Sequence, residues 1–256
     1  MKKSFIFGCA LIALTLSGVQ AHATVVSWDY IITAEFTGAT YTSGSGVSLP
    51  TTTLSWGTDI GNGQSSLVID PSTVNGQVNT YTGTGTPDSS FWADSVTLTH
   101  NNKPITAPSL ESATLEATVT LDPLAPDNPA LPDQTFSFLI GFEETTNTND
   151  PVESSDIFTV IQGFPNFTFV YDDDFGDTNP PQSYFVNVFP ADGSILGTLP
   201  GGDLGFTTLE GQSTALPFAF TISTEPLDIN PVPEPATMIL FGIGIAGLAG
   251  VRRKKK

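Results

Sequence analysis

The chain has 256 residues, with 26 acidic side chains against eight basic ones and a net charge of −18. Seven of the basic residues lie in the two terminal segments, so the stretch from Thr24 to Pro231 holds 25 Asp and Glu against Lys103 alone. Such a surface repels phosphate backbones and anionic lipid heads, which excludes nucleic-acid binding and suits calcium, cationic polymers or plain solubility.

The first 23 residues read as a secretory signal peptide. Lys2 and Lys3 precede an apolar core from Phe5 to about Leu16, and Ala21 and Ala23 form the A-x-A cleavage arrangement. This implies the Sec translocon and signal peptidase as partners and a mature chain beginning near Thr24. Cys9 belongs to the apolar core: too little apolar chain precedes it for a lipoprotein site, and Phe7 is bulky where a small residue is needed. Losing the signal removes Cys9 and His22, so the exported region has no cysteine and folds by burial alone. About 200 remaining residues suffice for one sizeable core and one domain.

From residue 24 to 225 the pattern is strand after strand. "VVSWDYIITAEF" opens with β-branched and aromatic residues, and "SSLVID" and "DSVTLTH" follow. "ATLEATVTL" alternates, with Leu115, Ala117, Val119 and Leu121 on one face and Thr114, Glu116, Thr118 and Thr120 on the other. "TFSFLIGF" directs Phe136, Phe138, Ile140 and Phe142 inward, and "DIFTVI", "FTFVY", "SYFVNVF" and "LPFAFTIS" complete about ten strands. Turn residues punctuate them. The expected fold is all-β, a single β-sandwich of jelly-roll or lectin-like type, with a closed barrel as the alternative. "TGATYTSGSGVSLPTTT" (residues 37–53) and "DPLAPDNPALPDQ" (residues 122–134) read as loops, the second because proline is excluded from central strands.

Few residues offer chemistry. His100 is the one histidine after the signal, which rules out a histidine-pair metal site or a multi-thiolate zinc site. It stands at a predicted strand end beside Asn101 and Asn102, where fixing a turn through side-chain-to-backbone hydrogen bonds is its expected role. No G-x-S-x-G elbow is present. Glu143 and Glu144, adjacent on a strand, are expected to face opposite sides and not to act as one acid/base pair. "YDDDFGD" gathers Asp172, Asp174 and Asp177 around Gly176, an oxygen-rich turn able to take calcium although its spacing is not that of an EF-hand. Trp28, Trp56 and Trp92 would stack on sugar rings if exposed, and form core if buried.

The chain closes with a proline-rich linker (226–232) and a segment (233–256) built of Pro233-Glu234-Pro235, an uncharged run and Arg252 to Lys256. Gly242, Gly244 and Gly247 spell G-x-G-x-x-G, but no acidic residue follows, so a dinucleotide loop is excluded. Ala236 to Val251 would make a helix of about 24 Å, short for a stable span, with the basic end held on the cytoplasmic side. It is expected to hold the inner membrane only transiently.

This tripartite end resembles the PEP-CTERM sorting signal of exopolysaccharide-producing Gram-negative bacteria. The resemblance implies processing near Pro233-Glu234-Pro235 by an exosortase, a membrane-embedded cysteine protease or transpeptidase. Thr99-His100-Asn101-Asn102, "SWG" at 55–57, "SSL" at 65–67, "FEETTN" from 142 and "DIF" at 156–158 are similar to the layout of the THxN family of PEP-CTERM proteins. Members often carry cysteines where this chain has Ser154 and Ser155, so no disulfide carries over. The expectation is a non-enzymatic exported protein without a required cofactor, at the cell surface or in the extracellular polysaccharide (biofilm) matrix. The alternative is a carbohydrate-binding module, calcium-assisted through the aspartate turn.

Overall fold

The computed structural model describes residues 24–227 except 45, 126–130, 132, 147, 149, 162–165, 172–180, 194 and 200–202. The signal peptide with Ala21 and Ala23, the aspartate turn at 172–177 and Pro233, Glu234 and Pro235 with the apolar run lie outside the described residues. No helix among the described residues is long and apolar enough to cross a membrane.

The described chain is all-β. In order the strands are β1 (Ser27–Tyr41), β2 (Thr53–Trp56), β3 (Thr58–Asp59), β4 (Ser65–Ile69), β5 (Thr73–Tyr81), β6 (Ala93–Asn101), β7 (Ile105–Thr106) and β8 (Leu110–Ala125). They continue as β9 (Gln134–Glu143), β10 (Asp156–Val160), β11 (Asn166–Tyr171), β12 (Gln182–Pro190), β13 (Gly197–Thr198), β14 (Leu204–Thr208) and β15 (Ser213–Ser223). Hydrogen bonding runs β13-β14-β10-β9-β8-β1-β5-β15-β6-β4-β2, with β12 beside β15 and β11 beside β12; β3 and β7 form a separate ribbon.

The sheet turns back on itself where β5 meets β15, in a short parallel pairing of Thr80 with Ile222 and Tyr81 with Ser223. The layer holding β1, β8 and β9 thereby faces the layer holding β12, β15 and β6, in the manner of a β-sandwich. Alternation supplies the core between them. Trp28, Tyr30, Ile32, Ala34 and Phe36 of β1 are buried, and so are Leu115, Ala117, Val119 and Leu121 of β8. Across the interface Trp28 meets Phe169, Tyr171 and Tyr184 edge-on, with ring centroids 5.3–5.6 Å apart. Its indole N–H donates to Thr80 Oγ1 at 2.9 Å, so the polar edge of the ring is satisfied inside the core.

Three stretches differ from the sequence reading. Residues 37–41 continue β1, because Thr37 is a bulge that re-phases the strand and leaves Ala39 opposite Ala113. Residues 122–125 continue β8, and Pro123 is tolerated because the register shifts there, from Trp28–Pro123 to Ser27–Ala125. The polar "TVNGQVNTY" is β5, whose inward positions are weakly apolar because Gly76 lies opposite Tyr30 and a Cβ there would stand 3.0 Å from its hydroxyl.

Trp28→Ala is expected to lower stability by about 3–5 kcal/mol, the cost of emptying a large aromatic site. Urea denaturation should show a lower midpoint at unchanged slope; an unaltered midpoint would show that this aromatic cluster does not hold the two layers together.

Candidate functional site

Period-2 alternation along the end of β6 assigns opposite jobs to neighbouring residues of "THNN". Thr99 and Asn101 are partly exposed, whereas His100 and Asn102 are fully buried. Asn101 ties the outer surface, donating through Nδ2 to Ser66 Oγ on β4 and accepting through Oδ1 from Ser213 Oγ on β15. Asn102 works inside. Its Nδ2 donates to the carbonyls of Ser154 and Thr208 at 3.3 and 3.0 Å, while its backbone exchanges hydrogen bonds with Gln212 and Gly211. His100 thus does not fix a turn as expected; Asn102 instead ties the segments at Ser154 and Thr208 to the end of β6. His100 forms no hydrogen bond through either ring nitrogen.

Aromatic rings surround His100 instead. Trp56 stacks parallel to it, 6° between planes and 5.7 Å between centroids; Phe158 lies at 4.5 Å and Phe142 meets it edge-on at 5.6 Å. Gly57, next to Trp56, packs its backbone against Ile105. Its φ of +82° suits glycine, and a Cβ there would stand 2.3 Å from Ile105 Cδ1. Burial pushes the imidazole pKa down to about 3, so the ring is neutral at physiological pH.

Three carboxyl groups gather behind this ring. Asp156, fully buried on β10, places Oδ2 3.7 Å from His100 Nε2 and accepts from the Thr145 N–H through Oδ1 at 3.2 Å. Burial first, then the neighbouring Glu144 charge, raises its pKa to about 8. Glu144 follows β9 and accepts from Trp56 Nε1–H at 3.3 Å. Burial pushes it up to about 7, the Glu210 charge adds to the rise, and the Trp56 bond opposes it. Glu210 is raised by burial and lowered by the Gly211 N–H and by Lys103; that N–H donates its hydrogen bond to the Asn102 carbonyl. Beside Glu144 an open cleft of about 660 Å³ is lined by Glu111, Glu143, Phe142, Thr145 and Ser109 among others. Glu143 and Glu144 both border this cleft, Glu143 exposed at the end of β9 and Glu144 half-buried against the Trp56 indole.

Of the tryptophans, Trp28 and Trp56 are buried, and Trp92 is 37 % exposed and packs edge-on against Phe189. No exposed pair of tryptophans exists. The stretches "SWG", "SSL", "THNN", "FEETTN" and "DIF" come together in space: Trp56, His100, Phe142, Glu144, Asp156 and Phe158 form the site, and Ser65 Oγ accepts from the Lys103 N–H beside it. Sequence reasoning did not assign Asp156, Glu144 or Glu210 to a site. The inward phase of His100 and of Asp156 is legible in strand alternation, but Glu210 follows β14 in a turn and carries no such signal.

Comparison with known proteins bears on the C-terminus. Residues 231–254 match the model of the PEP-CTERM protein-sorting motif, which implies processing by an exosortase and export to the cell surface. No curated protein matches the chain.

The carboxyl cluster sets a pH dependence. A carboxyl raised in the folded state contributes stability below its unfolded value, near 4, and loses it as pH climbs through the folded value. His100 acts oppositely: the folded ring binds fewer protons, so stability rises from about pH 3 to about 6.5 and gains nothing above. In chelator, the melting temperature is therefore expected to fall by several degrees between pH 6.5 and 9, mostly across pH 7 to 8, and Asp156→Asn should flatten the fall. Parallel profiles for both proteins would show that Asp156 ionises without cost.

Proposed function

We propose that this protein is exported, sorted by an exosortase through residues 231–254, and works without catalysis as a component of the cell surface or extracellular polysaccharide matrix. The observation that carries the reading is the match of the C-terminal motif. In this account signal peptidase cuts after Ala23, Pro233-Glu234-Pro235 is recognised by the exosortase, and the run from Ala236 to Val251 holds the inner membrane until processing. Glu234 is then a recognition residue and does no chemistry of its own.

The ectodomain supports a structural role. His100 has no exposed surface, and its ring lies behind Trp56 and Phe158, so it is out of reach of a substrate as acid or base. The acidic exterior keeps a cysteine-free domain soluble and hydrated among glycans. Convergence of the five motif stretches on one buried cluster supports reading the chain as a THxN-family protein, since spaced motifs that meet in space serve one structural purpose. The open cleft beside Glu144, with hydroxyl side chains above Phe142, favours as a second reading a carbohydrate-binding module; calcium at Asp172, Asp174 and Asp177 would assist it by fixing that turn.

Intact-mass analysis of native protein from envelope and culture medium tests the sorting reading. The mature chain is expected to lack both the first 23 residues and the basic tail, and Glu234→Ala should leave the tail attached. Native protein that retains Lys256 in most molecules would replace the transient hold with a permanent anchor.

A further inference from the structure

The described residues include twelve buried side-chain nitrogen or oxygen atoms without a hydrogen-bond partner, and nine of these belong to the cluster beneath Trp56. Two are the ring nitrogens of His100. The other seven are oxygens: Asn102 Oδ1, Glu144 Oε1, Thr145 Oγ1, Asp156 Oδ2, Thr208 Oγ1, and both carboxylate oxygens of Glu210. Buried polar atoms in a native fold are almost always paired, so a concentration of this kind points to a missing partner.

The residues are neighbours by independent links. Thr208 stands directly opposite Asp156 in the β10–β14 ladder. Asn102 Nδ2 donates to the carbonyl of Thr208, the Thr145 N–H donates to Asp156, and the charges of Glu144, Asp156 and Glu210 act on one another. Asn102, Asp156 and Thr208 are entirely buried. Lys103, near Glu210, is the one basic side chain of the domain. Three carboxyl groups thus share a low-dielectric site with almost no cationic compensation.

We propose that this cluster binds calcium. The donors are hard oxygens, carboxylate, amide and hydroxyl, and their number falls in the range of six to eight that calcium takes. Magnesium demands near-ideal octahedral geometry and retains its water, which a buried set drawn from four separate segments does not suit. His100, a nitrogen donor, forms the aromatic-backed wall and is not a ligand. The cleft beside Glu144 is the route in. No three of the described acidic or histidine side chains already converge on a single metal position, so binding turns Glu144 and Glu210 towards Asp156. Glu144 gives up its bond to Trp56 in doing so. The bound ion would join the β6 end, the segment after β9, β10 and the turn after β14, a task that disulfides perform in other exported domains. This inference rests on the ectodomain alone and is independent of how the chain is sorted.

Terbium, a luminescent stand-in for calcium, tests it on the full chain freed of metal with EGTA. Trp56 lies beside the site and should sensitise terbium emission, and calcium should quench that emission by displacement while equimolar magnesium should not. In parallel, calcium should raise the melting temperature by several degrees more than magnesium at matched ionic strength. Glu144→Gln/Asp156→Asn should abolish both effects, and Asp172→Ala/Asp174→Ala should preserve them, which separates this site from the aspartate turn. The Glu144→Gln/Asp156→Asn chain, relieved of buried charge, should melt no lower than the wild type in EGTA. Equal shifts from calcium and magnesium in the wild type overturn the proposal, whatever the variants do; so does calcium-specific stabilisation that survives in Glu144→Gln/Asp156→Asn or disappears in Asp172→Ala/Asp174→Ala.

Discussion

The stack of Trp56 on His100 is the contact on which one end of this fold depends. It requires a neutral imidazole, because a charged one in the same enclosure would be desolvated on every side. Burial supplies that neutrality, holding the ring pKa near 3. The neutral ring can then be packed as an aromatic, meeting Phe158 of β10 and Phe142 of β9 as well as Trp56 of β2. Strands from both layers meet at this one side chain. Asn102, two residues beyond His100, secures the neighbouring carbonyls of Ser154 and Thr208.

The same packing encloses Asp156 and half-buries Glu144 at the edge of the cleft, away from compensating charge, so burial raises both above the usual carboxylate range. A buried acid of this kind weakens the fold once ionised. The polar cluster sits at the end of a domain whose remaining stability comes from an apolar interface, with Trp28, Tyr184 and Phe220 fully buried at its centre. Apolar packing accounts for the folding of the domain, and the polar end gives its response to pH.

Much of the fold was legible in the sequence because β-strand alternation has a period of two and one buried face. "ATLEATVTL" and "TFSFLIGF" read correctly for that reason, with Phe138 only partly buried. The polar strand β5 escaped because Gly76 replaces an inward side chain beneath Tyr30, and the extension of β8 escaped because Pro123 sits at a register shift. The site was legible in fragments. The spacing within "THNN" places His100 and Asn102 on one face, but strand order brings them to Asp156 and Thr208, and that order is a long-range property. Pairings such as Phe158 with Phe206 arise only once β10 lies between β9 and β14.

The protonation state of His100 tests the account most directly. From Thr24 onward it is the one histidine of the sequence, so in protein lacking residues 1–23 its ring resonances can be assigned without ambiguity by nuclear magnetic resonance. The account predicts ring nitrogen shifts of a neutral imidazole throughout pH 5 to 8, with no passage to the imidazolium form and with slow exchange of the ring N–H. A ring that titrates near 6.5, the ordinary value for an exposed histidine, would contradict the buried stack and the cluster built behind it.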